Sequence, residues 1–245
     1  MLEIIPSPGT ENKTFDEIEK KIRQVKPFAK TIHIDVCDGK FAPNTTFSDP
    51  EPFKKFLKDM ALTHSGWVNE DKGLLFEVHL MVEEPIEHLQ RWADAGFERF
   101  IGQVEKMGSQ EEFVAKAQLL GEVGLAIDGP TGLDALKVSA EDLDVVLFYT
   151  ADKAGFSGAK FKEERLEKIK AYREKNEYIP IEVDGGINDE TIQIAAAAGV
   201  NRFVSTGFLF NLNTPEEQYT LLQKKLDELT ISPTSVEAPQ LSKQQ

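Results

Sequence analysis

The order of apolar runs along the chain constrains its fold more than any other feature of the sequence. Eight short runs rich in β-branched and aromatic residues predict strands, and each is followed by a segment in which apolar residues recur at helical spacing. The predicted strands lie at residues 2–6, 31–36, 74–82, 99–104, 125–127, 144–150, 178–183 and 201–206. The predicted helices lie at residues 14–25, 49–60, 85–96, 109–124, 132–138, 161–176, 188–199 and 214–229. Strands that alternate with helices form a parallel sheet joined by right-handed crossovers.

Eight such units within residues 1–230 predict an α/β fold with a single (β/α)8 TIM barrel as the one domain. An open, doubly wound sheet is the alternative, and the absence of a G-x-G-x-x-G motif after the first strand counts against it. Residues typical of helix starts and stops support the unit boundaries: a Thr14–Glu17 capping box, Pro85, Gly96, Asn188 and Gly199. Residues 231–245 are polar and aperiodic and contain proline, so we expect a disordered C-terminal tail.

Composition restricts the partners of such a barrel. The net charge of −14 opposes general binding to nucleic acid or to an anionic membrane surface. Cys37 is the only cysteine, so an internal disulfide and a thiolate zinc cluster are excluded. No apolar run approaches the roughly 18–20 residues of a membrane span, and the first residues do not resemble a signal peptide. We therefore expect a soluble, cytoplasmic protein without a nucleic-acid or membrane partner.

Four polar side chains fall at predicted strand ends, where the active site of a TIM barrel lies. His33 and Asp35 share one face of the second strand, since side chains alternate with a period of two. His79 lies in the third strand, and Asp184 follows the seventh. Taken singly, each has an ordinary interpretation, either as a hydrogen-bonded core histidine or as an aspartate that caps a turn. Together, the two imidazoles and two carboxylates favour one divalent metal ion: zinc, iron, manganese or cobalt.

Glycine-containing segments follow the last three predicted strands, at residues 154–161, 184–188 and 205–208. Glycines allow backbone N–H groups to approach a phosphoryl oxygen closely, and this end of a TIM barrel is a common phosphate site. Backbone dipoles bind an anion without any cationic side chain, which suits an acidic protein. The sequence therefore predicts a small phosphorylated ligand.

Four segments in this order resemble the ribulose-phosphate 3-epimerase family: IHIDVCDGKFAPN (32–44), VHLMV (78–82), a Gly-Phe-x-Gly loop (155–158) and IEVDGGIN (181–188). The resemblance extends from Ile4 to Phe210. It implies a TIM barrel that inverts C3 of a pentulose 5-phosphate, by default D-ribulose 5-phosphate to D-xylulose 5-phosphate, a reaction of the pentose phosphate pathway. It also implies a homo-oligomer.

The resemblance assigns roles to individual residues. It implies that His33, Asp35, His79 and Asp184 bind one divalent metal, and that Asp35 and Asp184 are the acid/base pair. In that chemistry, proton removal next to the ketone leaves a 2,3-enediolate whose charge the cation stabilises. The residues implied in substrate binding are Ser7, His79, Met81, Gly155, Phe156, Ser157, Gly158, Gly185, Gly186, Thr206 and Gly207.

The chain departs from the family pattern around this shared set. Cys37 stands where the family usually has methionine, and Gln103 stands where the family has the histidine of an H-x-E motif. In the sixth loop, Ala154, Ser157 and Ala159 replace a proline, a glycine and a glutamine. Thr206-Gly207 replaces the usual Gly-Ser. The metal and acid/base residues are intact, whereas the expected cover over the substrate is altered.

Three other functions are weighed against the default. A 3-epimerase for another ketose phosphate, such as D-allulose 6-phosphate, shares the same chemistry. A related decarboxylase or synthase barrel requires a D-x-K-x-x-D signature, but Cys37 rather than lysine lies two residues after Asp35. A non-catalytic sugar-phosphate-binding barrel would explain the changes at residues 148–159, yet a binder has no need for four clustered ligands.

Overall fold

The computed structural model describes residues 2–63 and 73–231 and confirms the TIM barrel. Its eight parallel strands are β1 Glu3–Pro6, β2 Thr31–Cys37, β3 Leu75–Met81, β4 Arg99–Gln103, β5 Glu122–Ile127, β6 Val145–Tyr149, β7 Ile181–Asp184 and β8 Arg202–Ser205. They are ordered β1-β8-β7-β6-β5-β4-β3-β2, so β1 and β2 are the terminal strands of a nearly closed barrel. The Thr31 hydroxyl joins these two strands by donating to Glu3 Oε1 at 2.6 Å.

Eight α-helices lie in the described part of the chain: α1 Phe15–Val25, α2 Glu51–Thr63, α3 Leu89–Asp94, α4 Gln110–Ala117, α5 Leu166–Arg173, α6 Thr191–Ala197, α7 Gly207–Phe210 and α8 Pro215–Ile231. The Thr14–Glu17 capping box is present at the start of α1. Pro85 opens a 3-10 turn ahead of α3. Asn188 Oδ1 accepts the N–H of Thr191, the first residue of α6, at 2.9 Å. Gly96 and Gly199 have φ angles of +99° and +98°, as expected where a chain leaves a helix.

Two predicted helical segments differ from the structure, and one short helix was not predicted. The helix predicted over 109–124 ends at Ala117, and Glu122–Gly124 already belong to β5. Gly121 lies between them, and a side chain there would meet Glu98 O at 2.3 Å, so the chain packs closely on the residue that precedes β4. The helix predicted over 132–138 is replaced by a 3-10 turn, Leu133–Ala135, and a second 3-10 turn follows it at Ala140–Asp142. The short helix α7 was not predicted, because its four residues are too few to show a period.

The predicted disordered tail, residues 231–245, lies outside the described residues apart from Ile231, which ends α8. The domain boundary at residue 230 therefore stays a prediction. Among the described residues, no helix combines the length and the apolar character needed to cross a bilayer.

Alternation along the strands separates two cores. Residues such as Ile32, Ile34 and Val36 face outward into a large apolar layer between the barrel and the helices. A small inner apolar cluster fills the barrel on the side of β4, β5 and β6, and it consists of Ile101, Ala126, Val145 and Leu147. The inner face of β2, β3, β7 and β8 is instead polar, with seven buried charged or imidazole side chains: His33, Asp35, Glu77, His79, Glu182, Asp184 and Arg202.

A Gly124→Ala substitution tests the packing of the inner apolar cluster. A Cβ atom at position 124 would lie 2.5 Å from Val145 Cγ1, so we expect a loss of about 1–3 kcal/mol in the free energy of unfolding, measured by chemical denaturation. Gly73→Ala is the matched control, because no atom lies within 4 Å of the added methyl group. Equal stability of the two variants would contradict this account of the core.

Candidate active site

Four side chains converge at the carboxyl end of the barrel. Asp35 Oδ1 lies 3.2 Å from His33 Nε2 and 3.2 Å from His79 Nδ1. With Asp184, the last residue of β7, these groups offer four ligand atoms that all lie within 4.8 Å of one another. Both histidines are fully buried, and the two aspartates are less than a tenth exposed. The four predicted metal ligands are therefore brought to one point from three strands.

The remaining ring nitrogens of the two histidines have acceptors of their own. His33 Nδ1 lies 2.8 Å from Glu77 Oε1, and His79 Nε2 lies 2.8 Å from Gln103 Oε1. Gln103 in turn donates from its amide nitrogen to Glu105 Oε2 at 2.7 Å, which fixes its oxygen toward His79. When the outer nitrogens donate in this way, the inner ones carry lone pairs that point at Asp35.

In this arrangement two imidazole lone pairs and a carboxylate oxygen point at each other with no hydrogen-bond donor between them. Such acceptors repel one another, and a positive charge placed between them removes the repulsion. Burial by itself lowers the pKa of His33, but Asp35, Glu182 and Glu77 outweigh burial and raise this pKa well above its usual value. The surroundings thus favour a cation, and nitrogen and carboxylate donors in this number fit a divalent transition metal.

The two aspartates have different electrostatic surroundings. Burial raises the pKa of Asp184 to about 7, with a further contribution from the negative charge of Asp35. Burial also acts on Asp35, but His33 and His79 outweigh it and hold the pKa of Asp35 far below its usual value. Two carboxyl groups with pKa values pushed apart suit complementary roles as proton acceptor and proton donor. Ser7, predicted to contact substrate, donates its hydroxyl to Asp35 Oδ2 at 3.1 Å and so orients this carboxylate.

A cavity of about 320 Å³ opens beside Asp35 and Asp184. Its lining includes every predicted glycine-loop residue: Gly155, Phe156, Ser157, Gly158, Gly185, Gly186, Thr206 and Gly207. Met81 also lines it, as predicted for an apolar contact, and so does Tyr149, which the sequence reasoning missed. No lysine or arginine is among the described residues of the lining, so an anion here would rely on backbone N–H groups.

Gly185 and Gly186 must be glycine for two reasons. Their φ angles of +112° and +77° are disfavoured for other residues. A Cβ atom at either position would also lie 2.6 Å from backbone nitrogen, that of Ala151 for Gly185 and that of Phe161 for Gly186. The backbone therefore passes close to the strand-six loop, residues 151–161, at the edge of the cavity.

The strand-six loop covers the cavity and is fastened on two sides. Thr10 N donates to Ser157 Oγ at 2.7 Å, and Ser157 N donates to Thr10 Oγ1 at 2.8 Å. On the other side, Asn44 Nδ2 donates to the Gly155 carbonyl at 2.6 Å. Ser157, a departure from the family pattern, thus acquires a specific partner. Lys153 lines an adjoining groove, which shares residues 156–159 with the cavity, and is not part of the cavity lining.

Cys37 is buried beside the site, with its Sγ atom 3.9 Å from Met81 Sδ. Burial, reinforced by Asp35 and Asp38, raises the pKa of this thiol, which keeps it protonated at neutral pH. The cysteine therefore packs as a small apolar residue where the family usually has a larger one.

Comparison with known proteins places this chain in one family. A model of the ribulose-phosphate 3 epimerase family matches residues 7–210. Ribulose-phosphate 3-epimerase of Schizosaccharomyces pombe is 33% identical over 205 residues, which cover 83% of this chain and 85% of the relative. The enzyme of the same name from Bacillus subtilis is 31% identical over 206 residues, covering 81% and 88%. The cytoplasmic isoform of rice is 30% identical over 212 residues, covering 84% and 86%.

More distant solved structures share the fold alone. KGPDC from Streptococcus mutans superposes with a TM-score of 0.64 at 10% identity and covers 94% of this chain and 100% of its own. The 3-hexulose-6-phosphate synthase of Salmonella typhimurium gives a TM-score of 0.66 at 12% identity, with coverages of 93% and 99%.

A Ser157→Ala substitution tests the fastening of the strand-six loop. It removes the acceptor of the Thr10 amide, and one such hydrogen bond is worth about 1 kcal/mol, so we expect amide hydrogens of residues 152–160 to exchange about fivefold faster. Thr10→Val, which removes the reciprocal acceptor, should give a similar increase. Ser139→Ala, at a remote 3-10 turn, is the control. Unchanged exchange in both loop variants would refute the fastening.

Proposed function

Since the chain belongs to the ribulose-phosphate 3-epimerase family and is an isomerase acting on a carbohydrate, we propose that it interconverts D-ribulose 5-phosphate and D-xylulose 5-phosphate by epimerisation at C3. The observation that carries this proposal is the convergence of His33, Asp35, His79 and Asp184 beside a cavity bordered by glycine loops. The rest of the proposal concerns the cation, the proton transfers and the binding of the phosphate.

The proposed cofactor is one divalent metal ion, zinc, iron, manganese or cobalt, held by His33 Nε2, His79 Nδ1 and the carboxylates of Asp35 and Asp184. Bound there, it would supply Lewis-acid stabilisation of negative charge on the two substrate oxygens next to the exchanged hydrogen. The acceptors on the outer ring nitrogens support this assignment, because they leave the inner nitrogens free to ligate.

Asp35 and Asp184 are proposed to carry the proton. They reach the cavity from β2 and β7, which are separated in the barrel by β1 and β8, so they approach a bound sugar from different directions. One carboxylate takes the C3 proton, which breaks the C3–H bond and leaves the 2,3-enediolate. The other, as a carboxylic acid, delivers a proton to C3 on the opposite face, and the inverted carbon results. Ser7 supports Asp35 by fixing the orientation of its second oxygen.

The phosphate is proposed to lie against backbone N–H groups of the glycine loops, and the strand-six loop to exclude water above the sugar. A cavity of about 320 Å³ suits a small metabolite. Met81 would provide the apolar contact with the sugar chain. We further propose that the protein forms a homo-oligomer, as the family resemblance implies. We also propose a cytoplasmic location, for which the cytoplasmic isoform named among the relatives is a parallel.

Solvent hydrogen exchange tests the acid/base assignment. In deuterium oxide, the wild-type protein should incorporate deuterium at C3 of D-ribulose 5-phosphate, measured by proton NMR. Asp184→Asn should lower turnover and exchange by about 10²–10⁴-fold, because the amide neither accepts nor delivers the proton. Asp189→Asn, five residues further on and outside the cavity lining, should retain both.

A panel of ketose phosphates in the same assay decides between the substrates. Faster turnover of D-allulose 6-phosphate than of D-ribulose 5-phosphate would replace the proposed substrate with its competitor. Binding of D-ribulose 5-phosphate without any exchange at C3, in protein loaded with each of the four metals, would instead support the non-catalytic alternative.

Removal of metal tests the proposed cofactor. Purified protein should contain about one transition metal ion per chain by elemental analysis, and chelation should abolish turnover until metal is restored. His79→Ala should lose the bound metal, whereas His88→Ala should keep it, since His88 lies at the start of α3 away from the cluster. Full turnover by metal-free protein would refute the assignment.

A further inference from the structure

A second group of charged side chains lies beneath the proposed metal site, toward the amino ends of the strands. We call it the base cluster, and it consists of Glu3, Glu77, Arg99, Glu122, Glu182 and Arg202. Arg202 contacts three of the carboxylates: Nη1 is 2.6 Å from Glu3, Nη2 is 2.9 Å from Glu77 and Nε is 2.8 Å from Glu182. Arg99 contacts Glu77 at 2.6 Å and Glu122 at 2.5 Å.

Glu77 connects the base cluster to the site. Its Oε2 atom accepts from both arginines, and its Oε1 atom lies 2.8 Å from His33 Nδ1. Two guanidinium groups therefore occupy one oxygen of this carboxylate and leave the other directed at the imidazole. Glu182 repeats the pattern more weakly, with Oε2 on Arg202 and Oε1 at 3.3 Å from His33 Nδ1.

Burial makes this connection stiff. The side chains of Glu77 and Glu182 have no solvent exposure, and those of the two arginines are 9% exposed. A carboxylate in such surroundings is costly unless cations accompany it, so Glu77 cannot turn away from the arginines without leaving charge unpaired. Its second oxygen is consequently fixed in space, and the ring of His33 is held between it and Asp35.

We propose that Glu77, anchored by Arg99 and Arg202, is a positioning residue that selects the Nδ1–H tautomer of His33 and so presents the Nε2 lone pair to the metal. This inference rests on the proposed function, since it assumes that His33 is a metal ligand. It assigns the base cluster a role in metal affinity in addition to its role in the packing of the barrel.

Glu77→Gln is the decisive substitution. The two arginines require an acceptor at the position of Oε2, so the amide nitrogen of the new side chain faces His33. It would donate to Nδ1 and shift the ring proton to Nε2, the atom needed by the metal. We expect metal-free protein to bind Zn²⁺ about 10–100-fold more weakly, measured by competition with a chromophoric chelator.

Glu122→Gln is the matched control. It also weakens a carboxylate contact with Arg99, but Glu122 is about half exposed and has no contact with His33. Its zinc affinity should stay within about twofold of wild type. If Glu77→Gln does not fold, Arg99→Met replaces it and should lower zinc affinity several-fold, because Glu77 then keeps only one of its anchors.

Nitrogen NMR of the histidine ring reports which ring nitrogen carries the proton, and a general loss of stability does not change this signal. In zinc-loaded wild-type protein, the resonances of His33 should show a protonated Nδ1 and a metal-bound Nε2. Equal zinc affinities of the Glu77→Gln and Glu122→Gln variants, or of Arg99→Met and Glu122→Gln, would overturn the inference and leave the metal site intact. A wild-type protein that binds no zinc, iron, manganese or cobalt would instead refute the proposed cofactor itself.

Discussion

Compensation of buried charge inside the barrel is the constraint on which the rest of the structure depends. Burial raises the pKa of Glu77, but Arg202, His33 and Arg99 outweigh it and hold this pKa well below the usual range. Burial likewise opposes the charge of Arg202, yet Glu182, Glu77 and Glu3 raise its pKa above that of a free arginine. Each of these groups stays charged only because the others do. Removing one member would leave a buried charge unpaired, so strands β1, β3, β4, β7 and β8 are held in register from inside.

The same balance of charge explains why chemistry belongs at the other end of the barrel. At the amino end, the guanidinium groups of Arg99 and Arg202 form direct ion pairs with the carboxylates of the base cluster. At the carboxyl end, Asp35 and Asp184 meet two imidazoles and no arginine or lysine among the described residues that line the cavity. Burial there, with a further contribution from the negative charge of Asp35, raises the pKa of Asp184 to about 7. Because no guanidinium or ammonium group of the described residues pairs with these carboxylates, the site suits a bound cation. Its carboxyl groups can also still change protonation state.

Local pattern was sufficient to predict the barrel and the four polar side chains at its strand ends, because strands and helices show periods of two and of 3.6 residues. His33 and Asp35 share a face for that reason alone. The base cluster was missed although Glu77 and Glu182 each lie two residues before a predicted ligand and therefore on the same inward face. The arginine partners of Glu77 are distant in the sequence: Arg99 is 22 residues away and Arg202 is 125 residues away. No local sequence pattern indicates that these residues form pairs. Thr10 and Ser157 are 147 residues apart in the sequence, so their contact becomes evident only in the folded barrel.

The departures from the family pattern fall into the parts that support or cover the site and spare the atoms that would do the chemistry. Gln103, in place of a histidine, still presents an acceptor to His79 because Glu105 fixes its amide. Ser157, in place of a glycine, gains a reciprocal contact with Thr10 on the first loop. Each of these two residues thus has a hydrogen-bond partner that fixes its side chain. Strands hold the four converging side chains from beneath, and neighbouring loops hold the strand-six loop from the side. Residues of that loop can therefore differ from the family pattern while the convergence of the four side chains is retained.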